Sequence, residues 1–202
     1  MTTPRRADAT ENRARIVRIA REDVKNGGEL KLNAVAKRAG VGQGTLYRHF
    51  PTREDLLAEV YRDDVDDLVA TAGVLLTTCS AFDALTRWFS RVADYARVKQ
   101  GVLAAVESGV GRDLTTHSIG PIGDAVTTLL DAGKTEGSIR HDVDARDIIL
   151  LIGYLTRLED SEWDTRAHHV LDIILDGLRA GAHSPARTDG TSAKSLRTAP
   201  TE

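Results

Sequence analysis

Residues 41–57 read V-G-Q-G-T-L-Y-R-H-F-P-T-R-E-D-L-L, and this segment decides the fold. Its first half predicts a short helix, because Leu46 and Phe50 lie four residues apart and therefore share one face. The remaining faces carry side chains that can hydrogen-bond or stack: Gln43, Thr45, Tyr47, Arg48 and His49. Such a surface suits recognition of an extended polar partner, and DNA is the first candidate.

The residues before this segment predict another short helix and a glycine-containing turn. Residues 32–39 place Leu32, Val35 and Ala36 on one side, and Gly40-Val41-Gly42 supplies the turn. Two short helices joined in this way form a helix-turn-helix, whose second helix lies in the major groove of DNA.

Charge is divided unevenly along the chain, although the net charge is only −3. Residues 1–53 hold 12 Lys and Arg against 5 Asp and Glu, whereas the remainder holds 15 against 25. A basic segment beside a helix with polar faces fits an approach to the phosphate backbone of DNA. The alternative is a basic face that is merely solvated.

Composition excludes several classes of protein. The longest apolar run, residues 148–155, is interrupted by Gly153 and is too short to span a bilayer. The first residues lack the apolar region of a signal peptide. A single cysteine, Cys79, excludes an internal disulfide framework and fits a reducing compartment. We therefore expect a cytoplasmic protein.

Beyond Pro51 the apolar residues keep helical spacing, and no strand-like alternation of useful length occurs. The chain is therefore predicted to be all-α, with about nine helices. Thr52 and Asp55 predict a loose capping box at the start of the fourth helix, and Ser80 predicts the start of the fifth. Residues 103–106 are expected to form a short sixth element, and Pro121 suits the first turn of the seventh helix. Asp144 is expected to cap an eighth helix that runs through Leu158, and Asp164 to cap the ninth.

These signals divide the chain into four parts. Residues 1–8 are expected to form a flexible basic arm, and residues 9–53 a helix-turn-helix DNA-binding domain. Residues 54–182 are expected to form a helical regulatory and dimerisation domain. Residues 183–202 are rich in Ser, Thr, Ala, Pro and Arg, a composition that cannot bury a core and predicts a disordered tail.

Residues 32–57, LNAVAKRAGVGQGTLYRHFPTREDLL, resemble the TetR (tetracycline-repressor-like) family of bacterial transcription regulators. The strict resemblance covers roughly residues 12–60, and the rest matches in the number, order and lengths of its helices. The resemblance implies a homodimer whose first three helices bind DNA. It also implies a larger C-terminal domain that binds a small molecule and thereby weakens DNA binding.

Individual DNA contacts follow from the same resemblance. Gln43, Gly44, Thr45 and Tyr47 match positions that contact bases or phosphates, and a glutamine amide can pair bidentately with adenine. The other matching positions are His49 and Arg53 for phosphates, Asn33 for a base in some members, and Arg48, where a surface role and a phosphate contact are equally open. For Gln43 and Tyr47 the alternatives are an ordinary exposed glutamine and a packing tyrosine.

Two positions depart from the family pattern. Lys31 stands where Thr or Ser often caps the second helix, and it offers a phosphate contact at some cost in capping. Gly42 replaces the usual Ser or Thr at the cap of the recognition helix, where glycine is weaker by only a few tenths of a kcal/mol.

Two further sets of residues concern the C-terminal domain. A pocket for an unknown small-molecule effector is expected to use apolar and aromatic walls with a few polar groups, namely Trp88, Phe89, Tyr95, Tyr154, Glu107 and His117. Core or surface positions are the alternative for all six. The eighth and ninth helices are apolar on more than one side, which predicts a dimer interface at Ile148, Leu151, Ile152, Leu155, Leu171, Ile174, Leu175 and Leu178.

The sequence shows no catalytic triad, paired carboxylates or phosphate-binding loop, so we expect neither an enzyme nor a cofactor beyond the effector. His168 and Asp172 lie four residues apart but lack a second convincing His or Cys pair, so no metal site is expected. The prediction is a ligand-responsive homodimeric repressor of a palindromic operator. A regulator without a small ligand, acting as an activator or under control of a protein partner, and a helical enzyme or carrier of an apolar molecule are the alternatives.

Overall fold

The computed structural model describes residues 4–26, 30–106 and 108–181. Within these ranges the chain forms eight α-helices, one 3-10 turn and one isolated antiparallel bridge between Ile139 and Arg179. The helices are α1 Pro4–Lys25, α2 Leu32–Arg38, α3 Gln43–His49, α4 Arg53–Leu76, α5 Ala81–Ala105, α6 Ser108–Thr135, α7 Ala145–Gly153 and α8 Trp163–Leu178, and the 3-10 turn Tyr154–Arg157 follows α7.

Three predicted helix caps are confirmed. The Thr52 hydroxyl accepts a bond from the backbone N–H of Asp55, and the Asp55 carboxylate accepts one from the backbone N–H of Thr52, which completes a capping box at the start of α4. Ser80 caps α5, and Asp144 opens α7 with a capping box of its own. These caps satisfy backbone donors that a helix start would otherwise leave unpaired.

Several helix boundaries in the structure differ from the predicted ones. Residues 4–8, expected in a loose arm, belong to α1. Residues 103–105 continue α5, and α6 begins at Ser108 and passes through Pro121, so the expected short sixth element is absent from the described residues. The expected eighth helix ends at Gly153 and continues as the 3-10 turn, and the cap of α8 is Glu162.

Tertiary packing explains the continuous course of α6. Proline removes one helical hydrogen bond, which favours a boundary at Pro121 when the sequence is considered alone. In the structure, buried side chains continue at four-residue spacing across it, at Leu114, Ser118, Ile122 and Val126. The face that these residues bury holds the helix together on both sides of the proline.

The first three helices, which we call the head, enclose a small core. Leu46 of α3 is fully buried and Phe50 is 1% exposed, so the inward face predicted from their spacing is confirmed. Val35 of α2 and Ile16 of α1 are buried in the same continuous hydrophobic core. The disordered tail expected at 183–202 lies outside the described residues.

The body comprises α4 to α8. Helices α4, α5 and α6 pack against one another, while α7 packs on α6 and α8 on α5. Trp88 of α5 is fully buried, and its indole N–H donates to the carbonyl of Leu68 at 2.9 Å. None of the described helices is both long and apolar enough to cross a membrane.

Candidate nucleic-acid interface

Helix α3 presents a polar face to solvent. Gln43, Gly44, Tyr47 and Arg48 are exposed, whereas Thr45 and His49 are half-buried. The cap position, Gly42, has extended backbone and makes no side-chain capping bond. With Leu46 anchored in the core, the polar side chains of one short helix are therefore held together on the outside of the head.

A shallow cleft of about 540 Å³ lies beside α3, between α2 and the start of α4. Its walls include Lys31, Asn33, Tyr47 and Arg53, so the structure brings together four of the residues predicted to contact DNA. Lys31 is the cap residue of α2 and makes no side-chain capping bond, as the departure from the family pattern predicts. We call this feature the Tyr47 cleft.

The two arginines of this region are used differently. Arg48 lies along its own helix, because its guanidinium donates to the Gly44 carbonyl at 2.9 Å and to the Thr45 hydroxyl at 3.1 Å. Arg53 points inward and donates to the carbonyls of Leu30 at 3.2 Å and Ala105 at 3.1 Å. Arg53 therefore links the head to the end of α5, and its contact with a phosphate stays a prediction.

Much of the positive charge of the head is neutralised within the protein. Arg13 pairs with Glu59 at 2.8 Å, and Arg38 pairs with Glu22 at 2.8 Å. Among the residues that the structure describes, Arg48 has no carboxylate within ion-pair distance. The positive charge available to a phosphate backbone is thus smaller than the excess of Lys and Arg in the sequence indicates. It includes the Arg48 guanidinium on α3.

An ion-pair cluster around the buried Asp64 connects α1 to α4. Arg21 contacts Asp63 at 2.8 Å, Asp64 at 3.2 Å and Asp67 at 3.3 Å. Burial raises the pKa values of Asp63 and Asp64, although the Arg21 guanidinium acts in the opposite direction. Asp64 is only 6% exposed, so this cluster fixes the head on α4 at a desolvated contact.

Two cavities lie in the body on either side of a hydrogen-bonded wall. The first, which we call the His117 cavity, has a volume of about 440 Å³ between α4 and α6. The second, the Lys99 cavity, has a volume of about 190 Å³ and is bounded by α5, α6, α7 and Thr156 of the 3-10 turn. The wall consists of the Tyr61 hydroxyl, 3.0 Å from that of Tyr95 and 2.8 Å from that of Ser118.

The structure separates the residues that the sequence proposes for an effector pocket. Tyr95 lines the Lys99 cavity, and His117 lines the other. Trp88 and Phe89 are core residues at 0% and 1% exposure, and Tyr154 is 63% exposed at the surface. Glu107 lies outside the described residues.

Lys99 and Ser118, which also line these cavities, were not predicted as pocket residues, because neither is aromatic or part of a motif. A useful signal was available, since Lys99 follows Tyr95 by four residues and therefore shares its helix face.

The residues proposed for a dimer interface divide in a similar way. Leu151 is 49% exposed, whereas the other seven are buried within the chain, namely Ile148, Ile152, Leu155, Leu171, Ile174, Leu175 and Leu178. Besides Leu151, the large apolar side chains that α7 and α8 expose are ones outside the predicted set. Leu150 is 63% exposed and Ile173 is 58% exposed, and Tyr154 follows directly after α7.

Comparisons with known proteins match both parts of the chain. A family model described as bacterial regulatory proteins, tetR family, matches residues 26–60. A model described as the C-terminal domain of SbtR-like transcriptional regulators matches residues 80–180.

Two solved structures are similar over most of the chain. A TetR transcriptional regulator from Streptomyces coelicolor is 35% identical, with a TM-score of 0.73, and the match covers 84% of this chain and 99% of that one. A TetR regulatory protein from Mycobacterium vanbaalenii is 33% identical, with a TM-score of 0.71, over 87% and 99% of the two chains.

Curated relatives match over a shorter segment. HTH-type transcriptional regulators from Staphylococcus aureus strains USA300 and NCTC 8325 are 44% identical over 63 residues, or 30% of this chain. The chain therefore spans about a third, 34%, of the length of these relatives.

Proposed function

Because this chain belongs to the TetR family of bacterial transcriptional regulators, we propose that it is a homodimeric repressor that releases a palindromic operator when a small molecule binds its body. The observation that carries this proposal is the outward polar face of α3 beside the Tyr47 cleft. Because a regulator of this kind binds chromosomal DNA, we propose that it resides in the bacterial cytoplasm.

Reading of the operator is assigned to α3. We assign the contact with base edges to its exposed Gln43, and contacts with the phosphate backbone at the groove edge to the exposed Tyr47 and Arg48. Asn33 and Lys31 lie across the Tyr47 cleft and extend this surface towards a neighbouring phosphate. In a dimer the two α3 helices would occupy successive major grooves about 34–36 Å apart.

Dimerisation is assigned to the outer flanks of α7 and α8. Leu150, Leu151 and Ile173 expose large apolar side chains there, an arrangement that favours burial against a second copy. A two-fold interface suits this surface, because each copy presents the same patch to the other. A palindromic operator is the DNA counterpart of that symmetry.

Release by an effector is assigned to the body cavities. The His117 cavity, at about 440 Å³, is within the range of typical small-molecule sites. Its wall includes Tyr61 of α4, the helix whose first turn receives the chain from α3. A ligand that changes the position of α4 would change the position of the head, and by linkage the operator would weaken ligand binding by the same factor.

The experiment that tests the proposal is selection of bound duplexes from a random pool with the full chain. We expect enrichment of an inverted repeat, followed by loss of binding when a library of small molecules is added. A variant with Leu150→Glu and Ile173→Glu should become monomeric by sedimentation and should bind the selected duplex weakly. The matched control is Val74→Glu, at an apolar side chain 62% exposed on α4, which should remain dimeric. Absence of any enriched sequence would contradict the proposal.

A further inference from the structure

The Lys99 cavity combines apolar walls with one cationic side chain. Lys99 of α5 lines it together with the hydroxyl side chains of Tyr95, Thr115, Ser118 and Thr156. The rest of the lining includes Val92, Ala96, Ile119, Ile122, Ile149 and Ile152. Asp, Glu and His are absent from the lining that the structure describes. The walls therefore offer apolar surface and positive charge, without a group that would attract a cation.

Among the described residues, no carboxylate lies within ion-pair distance of the Lys99 ammonium, whose Nζ lies 5.9 Å from the centre of the Tyr95 ring. Two other lysines do have partners: Lys25 pairs with Asp94, and Lys134 donates to the Val143 carbonyl. Lys99 is half-buried, and this burial lowers its pKa, as expected for a cation partly removed from water without a counter-charge. Charged groups in such places are normally paired.

The neighbouring hydroxyls already have partners. Thr115 donates to the Gly111 carbonyl at 2.9 Å, and Thr156 donates to the Gly153 carbonyl at 3.0 Å. Ser118 donates to the Thr115 carbonyl at 2.9 Å and also contacts the Tyr61 hydroxyl. The three N–H groups of Lys99 are thus the donors that remain for a ligand in the described lining of this cavity.

Volume limits the size of the apolar part of a ligand. The cavity, at about 190 Å³, is somewhat larger than an engineered apolar cavity of about 150 Å³ that binds benzene. One ring or a short aliphatic chain is the apolar group that such a space accommodates. The walls that would receive it are the isoleucines of α6 and α7, among them Ile122 and Ile152.

We propose that the Lys99 cavity binds a small monocarboxylate with a single ring or short aliphatic chain, its carboxylate on the Lys99 ammonium. This inference rests on the proposed function, because it gives the chemical class of the effector. The site also has a route to the head. Tyr95 lines the cavity and its hydroxyl contacts that of Tyr61 on α4, so a ligand that displaces Tyr95 alters a buried contact of the helix next to α3.

Calorimetric titration of the full chain tests the inference with benzoate and hexanoate as probes. We expect both acids to bind, and their neutral analogues benzamide and hexanamide to bind about ten-fold to a hundred-fold more weakly, since a hydrogen bond to a charged group is lost. Benzylamine should not bind. Lys99→Met should weaken benzoate binding by the same factor, whereas Arg146→Met, at an exposed basic residue of α7, should leave it unchanged.

Two further measurements separate a lost contact from a lost fold. Lys99→Met should melt at a temperature equal to or above that of the wild type, because it removes an unpaired cation from apolar surroundings. Ile122→Trp should fill the cavity and abolish benzoate binding while Lys99 stays in place. Equal affinity for acid and amide, undiminished binding by Lys99→Met, or no binding of either acid to the wild type would overturn the inference.

The outcomes also separate this inference from the proposed function. If benzoate binds through Lys99 but the selected duplex stays bound, the site stands and release by a carboxylate effector fails. If neither acid binds but a molecule of another class releases the duplex, the proposed function stands and the assignment of the effector class fails.

Discussion

In the head, α3 turns its polar side chains outward around a buried leucine, whereas in the body Tyr95 of α5 and Ser118 of α6 turn their hydroxyls inward beside two cavities. The residues of the first surface are neighbours in the sequence, and those of the second come from helices far apart. Tyr47 and Gln43 belong to one short helix. Tyr61, Tyr95 and Ser118 meet from three helices. The proposed DNA-reading surface is therefore determined by local sequence, whereas the proposed effector site depends on tertiary packing.

The two regions also treat charge differently. Four arginines of α1, from Arg13 to Arg21, are paired with carboxylates, as in the contacts of Arg21 with Asp63 and Asp67 of α4. Lys99 in the body lacks such a carboxylate among the described residues and lies against apolar walls. A paired arginine holds one helix against another, whereas a lysine without a carboxylate partner attracts an anion. Substitutions in each region can test this contrast.

Loss of the tyrosine on α3 should impair the head alone. Tyr47→Ala should weaken binding of the selected duplex about ten-fold to a hundred-fold for each protomer, if the hydroxyl bonds to a charged phosphate. The melting temperature should hardly change, because Tyr47 is 45% exposed. A mobility-shift assay provides the measurement, with Val74→Ala on α4 as the control. Unchanged affinity for DNA would remove Tyr47 from the reading surface.

The junction between head and body should be sensitive to one methyl group. A Cβ at position 101 would lie 2.8 Å from the Val24 carbonyl oxygen and 2.7 Å from Val24 Cγ1, so Gly101→Ala should destabilise the fold by about 1–3 kcal/mol. Gly73→Ala is the matched control, since a Cβ there meets no atom within 4 Å and should stabilise α4 by up to about 1 kcal/mol. Urea unfolding measures both. Equal effects would show that α1 and α5 do not approach this closely.

The unpaired lysine should produce a smaller, pH-dependent effect. Its pKa is lower in the folded protein than in the unfolded chain, so the unfolded chain binds more protons between the two values. The destabilisation due to Lys99 is fully present below the folded pKa and disappears as the pH rises towards the unfolded value. The stability advantage of Lys99→Met over the wild type should therefore shrink with rising pH.

Urea unfolding at a series of alkaline pH values measures this change, and Arg146→Met gives the baseline. A constant difference between Lys99→Met and the wild type across the series would show that Lys99 is not perturbed in the folded state.

The same contrast explains which features the sequence predicts. The capping box at Thr52 and the cap at Asp144 depend on residues close together in the chain, so the sequence predicts both. Gly101 precedes the short element that the sequence predicts at residues 103–106, but in the structure it lies inside α5, where the closeness of Val24 shows that it permits close helix packing. Arg53 matches a phosphate-binding position, but its bonds to two carbonyls depend on where α5 ends.

Several residues of the cavities and of the exposed apolar face of α7 and α8 lie outside the predicted sets for a related reason. Apolar spacing on α7 and α8 shows that these helices have surplus hydrophobic residues, but not which of them the chain itself buries. Packing inside the chain uses Ile148 and Leu171 and leaves Leu150 and Ile173 outside. The Lys99 cavity likewise exists only because α5, α6 and α7 meet around it.

The most direct test of the central claim, that α3 reads a two-fold symmetric operator, is to repeat the selection from a random pool with Gln43→Ala. The account predicts that the wild type enriches an inverted repeat. Gln43→Ala should lose base preference at one position in each half-site, while keeping the repeat and its salt dependence. Enrichment of the same sequence with undiminished preference at every position would contradict it.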